Sequence, residues 1–63
     1  METVLRHLRE DFPAVAFAGG DRSEGVWLQA VDEAKGFLWV RHRMASPETA
    51  EALLREAMAA HGA

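Results

Sequence analysis

Cysteine and tyrosine are absent from this chain, and so are isoleucine and asparagine. Without cysteine, neither a disulfide framework nor a thiolate zinc site can reinforce the fold, and thiol catalysis is excluded. No apolar run approaches the roughly 20 residues that cross a bilayer. Met1-Glu2-Thr3-Val4 lacks the basic start and apolar core of a secretory signal, so an intracellular, cytoplasmic protein is expected. Basic residues are scarce: seven Lys and Arg stand against ten Asp and Glu, a formal charge of −3. Phosphate binding through counterion release needs several clustered cations, which a net acidic chain supplies poorly. The missing residue types give the composition expected of a GC-rich bacterial or phage gene.

What remains is enough for one small globular domain spanning all 63 residues. Hydrophobic residues make up 49% and charged residues 27%, which excludes disorder as the default state. A domain of this size buries only about 60% of its unfolded surface. Stability of roughly 3–9 kcal/mol follows from typical per-residue values, low enough for self-association to matter.

Met1, Val4, Leu5, Leu8 and Phe12 fall on one face of a helix over residues 1–12, with Arg6, Arg9 and Glu10 turned outward. Pro13 ends it. Alternation predicts a strand over 14–18, with Val15 and Phe17 on one face, and then a polar loop from Gly19 to Gly25. Strands are predicted over 26–31 and 37–44, rich in β-branched and aromatic residues. Gly36 is the candidate for the left-handed position that ends their connection. Ser46 is a good N-cap, Pro47 suits the first helical position, and Glu48 favours the helix dipole. Ala50, Leu53, Leu54, Ala57, Met58 and His61 repeat at helical spacing, Glu51 and Arg55 form an i, i+4 pair, and Gly62 suits the residue past the helix end. The expected fold is α+β: an α-β-β-β-α chain with a three-stranded antiparallel meander and both helices on one face. Leu53 and Leu54 are expected under the sheet, against Leu5, Leu8, Leu28 and Val40.

The length of the second hairpin loop decides which side chains share a face. A three-residue loop, with Glu33 opposite Phe37, puts Val26, Leu28, Ala30, Leu38, Val40, His42 and Met44 together as a core face. Trp27, Gln29, Val31, Phe37, Trp39, Arg41 and Arg43 then share the bare face. A four-residue loop, Glu33 to Gly36, mixes these sets and groups Trp27 with Leu38 and Val40. The first register is preferred because it leaves one clean apolar face for two amphipathic helices. Under it, Trp27, Val31, Phe37, Trp39, Arg41 and Arg43 are the expected partner-binding residues, with Trp39 central. Exposed aromatic surface rimmed by arginine is typical of interfaces.

Little else points to chemistry. His7, His42 and His61 have no i, i+4 partner for a metal, Ser46 is a cap, and Ser23 is in no nucleophile motif. No catalytic residue, cofactor or metal is expected. The pairs Glu10–Asp11 and Asp32–Glu33 read as solvated charges at element ends. Arg41-His42-Arg43, beside Phe37 and Trp39, is similar to a platform for single-stranded nucleic acid. The order of elements also resembles that of the double-stranded-RNA-binding domain. That family carries phosphate-gripping lysines at the start of its last helix, whereas Ser46-Pro47-Glu48-Thr49-Ala50-Glu51 is acidic. The function expected is therefore a non-enzymatic protein-interaction module, a homodimer or partner-docking regulator of the antitoxin or phage-inhibitor kind. It would act through the open sheet face or a strand edge. Nucleic-acid binding through the Trp, Phe and Arg face is the alternative, and a small enzyme centred on His42 the third reading.

Overall fold

A computed structural model describes residues 1–62 and has the expected order: α1 (Glu2–Asp11), β1 (Ala16–Arg22), β2 (Gly25–Asp32), β3 (Phe37–Met44) and α2 (Pro47–Gly62). The strands form one antiparallel sheet in the order β1-β2-β3. Val4, Leu5 and Leu8 of α1 and Ala50 and Leu54 of α2 join Phe17, Val26, Leu28, Ala30 and Met44 in one buried cluster. Both helices thus lie on the same face of the sheet, and the other face is left uncovered.

Helix α1 closes where the Phe12 N–H donates to the Leu8 carbonyl at 2.8 Å, just ahead of Pro13. Helix α2 opens as its sequence requires: Ser46 Oγ accepts the Thr49 N–H at 3.1 Å, satisfying one of the free first-turn donors. Arg55 Nε donates to Glu51 Oε2 at 2.9 Å one turn away. Two expectations for α2 need correction. Gly62 lies within the helix, not past it. Leu54 is fully buried but Leu53 is 42% exposed. Adjacent helical residues diverge by about 100°, so a narrow core takes only one of the two leucines.

Strand β1 is displaced from its expected span, starting at Ala16 and running on through Gly19, Gly20, Asp21 and Arg22. Those glycines belong to the sheet because neighbours crowd them. A Cβ on Gly19 would come within 2.9 Å of the Trp27 carbonyl and 3.2 Å of Met1. The loop to β2 shrinks to Ser23 and Glu24, with Arg22 paired to Gly25. Gly25 has φ +125°, and a Cβ there would stand 2.5 Å from the Met44 carbonyl.

The preferred register of the second hairpin is overturned. Asp32 pairs with Phe37, Val31 with Leu38, Ala30 with Trp39, Gln29 with Val40 and Leu28 with Arg41, which leaves the four-residue loop Glu33 to Gly36. Turn chemistry selects it. Asp32 Oδ1 accepts the Lys35 N–H at 3.3 Å, the Gly36 N–H donates to the Glu33 carbonyl at 3.3 Å, and Gly36 takes the expected left-handed φ of +64°. Asp32, expected to be solvated, is buried by this role. Past Leu28 the register shifts: Val26 faces Met44, so His42 and Arg43 together oppose Trp27. This bulge needs a left-handed residue, and Arg43 supplies it at φ +58°. Its consequence is a change of side. Met44, an even-numbered residue like the exposed Leu38 and Val40, is returned to the core.

Candidate functional site on the open sheet face

Three rows of side chains follow from the pairing. On the uncovered face β1 carries Ala16, Ala18 and Gly20; β2 carries Val31, Gln29 and Trp27; β3 carries Leu38, Val40 and His42. The rows differ in height. The β1 row is nearly flat, whereas Leu38 is 72% and Val40 44% exposed on β3. One end is closed by aromatic packing. Trp27 lies against Gly20, where a Cβ would be 3.0 Å from its Nε1. The His42 ring stacks on Trp27 at 6.2 Å and 19°, and the Arg22 guanidinium lies 5.4 Å from the indole centre.

The expected partner-binding set is divided between the two faces. Trp27 and Val31 stand on the open face. Phe37 and Trp39 are half-buried on the helix-covered side, packed against the core. Arg41, opposite Leu28, falls on that covered side as well, though exposed. Arg43 sits in the bulge and pairs with Glu24 at 2.9 Å. His42, expected toward the core, is exposed on the open face. Phe37, Trp39 and Arg41 thus stay together, but on the helix-covered side, apart from Trp27 on the open face and from Arg43 in the bulge. Leu38 and Val40 were missed as surface residues. The signal is Asp32 followed at four residues by Gly36, an Asp able to accept a loop N–H and a glycine able to take positive φ, which marks a loop that begins at Glu33.

Two concavities are found, the first adjoining this face through Arg22 and His42. One of about 520 Å³ is lined by Arg22, Ser23, Glu24, Gly25, His42 and Arg43 at the tip of the first hairpin. The other, about 230 Å³, lies between the C-terminal turns of α2 and the second hairpin loop. There His61 Nε2 stands 3.0 Å from the Lys35 carbonyl and its ring 5.1 Å from that of Phe37. Arg55, on the same wall, donates to Asp11 at 2.7 Å and to Glu51. Those hydrogen bonds, Asp11's foremost, hold the guanidinium further into its charged form and outweigh its slight desolvation. Among the described residues, no three His, Asp or Glu side chains converge as metal ligands. No helix among them is long and apolar enough to cross a membrane.

The strand edges contrast with the open face. Arg9 of α1 donates to the Phe17 carbonyl at 3.0 Å and so occupies part of the β1 edge. The β3 edge carries the bulge and the cations Arg41 and Arg43. Charges and bulges are the usual means by which edges resist pairing with another chain. No family model matches this chain, and comparison with curated proteins and with solved structures finds none similar.

Proposed function

We propose that this chain is a non-enzymatic protein-interaction module, a small cytoplasmic regulator that takes a protein partner on the open face of its sheet. The observation that carries the reading is the exposure of Leu38, 72%, beside Val40 at 44%, with Val31 next to Leu38 on the neighbouring strand and Trp27 beyond Gln29. Contiguous apolar surface of this kind marks interaction sites. Both strand edges carry features that discourage pairing, which favours the face over the edge as the docking surface. Trp27, flanked by Arg22 and His42, supplies an aromatic anchor at one end with a polar rim, the residue types enriched at interface hot spots.

Site-specific photo-crosslinking tests this. A benzophenone side chain at Val40 is expected to give protein adducts of defined mass in the producing cell. The same group at Glu56, on the outer side of α2, is expected to give none. Equal labelling at the two positions, or none at Val40, would remove the open face from consideration.

A further inference from the structure

We infer that the occupant of the open face is a second copy of this chain, packed sheet on sheet about a two-fold axis parallel to the strands. In this arrangement the Leu38–Val40 ridge of each copy sits on the Ala16–Ala18 trough of the other. The inference rests on reading the open face as the docking surface, and it names the partner and the geometry.

The relief of the face is self-complementary. By the strand pairing, Ala16, Val31 and Leu38 lie at one level along the strands, and Ala18, Gln29 and Val40 at the next. A two-fold axis parallel to the strands keeps each level and reverses the lateral order. It therefore brings β3 over the partner's β1, and β2 over the partner's β2. Leu38 then meets the partner's Ala16, Val40 meets the partner's Ala18, and Gln29 meets its own copy, an amide able to donate and accept at once. The lengths also match. Trp27 fills the trough over Gly20 in its own chain, so the free trough is two residues long, like the ridge, and at the next level the same axis sets Trp27 against its own copy. An axis across the strands would instead set ridge on ridge and trough on trough, leaving voids that close packing does not tolerate.

Sheet twist does not upset the match. Aligned sheets cross at about 30°, and each outer strand is only about 4.8 Å from the central one. Facing levels therefore move by about 2–3 Å, against the roughly 6.6 Å that separates same-face neighbours. One strand of 7 residues and two of 8 cover about 23–26 by 14 Å. With side-chain relief, two such faces bury on the order of 1,000 Å² in total, at the lower bound for a specific interface. A thin single-chain core gains most from such an addition.

The chain has no native cysteine, so introduced thiols report without background. Ala16→Cys with Leu38→Cys is the decisive variant, both positions being exposed and circular dichroism confirming its fold. Within one chain these strands are about 9.6 Å apart and their same-face Cβ bonds run parallel, beyond the reach of a disulfide, whereas across packed sheets the Cβ bonds point toward each other as in the inter-sheet disulfides of β-sandwiches, so any bond joins two copies. Oxidation is expected to double the mass of the double variant and leave Leu38→Cys alone largely monomeric, while Val31→Cys, on the axis, links to itself. Efficient linking of Leu38→Cys alone would mean β3 on β3 and overturn the geometry. Absence of a covalent dimer in every variant would overturn the second copy as partner. If the Val40 photoprobe still captured a different protein, the docking face would stand without the homodimer. If it captured nothing, both would fall.

Discussion

The two faces of the sheet are built from the same three strands, yet one is packed and the other bare. On the covered face Leu28 and Ala30 are fully buried, while on the opposite face Leu38 keeps most of its surface in contact with solvent. Average hydrophobicity does not separate them, since the bare face also holds Val31, Val40 and Trp27. The difference comes from supply. Two helices with narrow apolar stripes can cover one side of three strands and no more. A chain that makes both sides apolar therefore leaves one of them uncovered.

The sharpest way to break this comparison is at α2. Leu54→Ala empties a fully buried site and should cost about 2–5 kcal/mol in urea unfolding at low protein concentration. Leu53→Ala, a substitution one residue away, should cost under about 1 kcal/mol, because its side chain is already 42% exposed. Equal losses would mean that α2 is rotated and that the division between the faces is misdrawn.

The glycines at the two ends of the sheet come next. Gly25→Ala places a methyl at φ +125° and 2.5 Å from the Met44 carbonyl, so the bulge must open, at a cost of about 2–3 kcal/mol. Gly36→Ala meets no neighbouring atom within 4 Å and should lose only the left-handed preference, about 1 kcal/mol. A reversal of that order in thermal melts would show that the bulge is not what returns Met44 to the core. Arg43→Gly has a smaller effect, within about 1 kcal/mol of the parent. Relief of its left-handed strain offsets the loss of an exposed ion pair and the added chain entropy.

The smallest effect on stability belongs to the open face itself. Leu38→Lys removes little intramolecular packing and should leave unfolding within about 0.5 kcal/mol of the parent when measured on dilute protein. A large loss would mean that Leu38 is a core residue after all.

Element order, the α2 cap, the Pro13 stop and the Gly36 turn were all legible in the sequence, because each is a local signal carried by one or two residues. The side on which β3 presents its residues was not. Alternation ranks Leu38, Val40 and Met44 as a core row, since they are more aliphatic than Phe37, Trp39 and Arg41. Two features outside that alternation decide otherwise. Asp32 binds the Lys35 N–H and fixes the four-residue loop, and the His42–Arg43 bulge restores Met44 to the inside. Hydrophobic period alone is blind to both, because a single-residue change in register exchanges the faces without altering the pattern. The same blindness hid Gly19 and Gly20 in β1, where closeness to Met1 and Trp27, not flexibility, calls for glycine.

Sedimentation equilibrium of the parent chain and of Leu38→Lys, across a concentration series, bears most directly on the claim that the bare face is covered by a second copy. The expected result is a reversible monomer–dimer equilibrium for the parent and a monomer at every concentration for Leu38→Lys, with matching circular dichroism spectra. A parent that remains monomeric throughout, or a Leu38→Lys chain that dimerises as well as the parent, would contradict it.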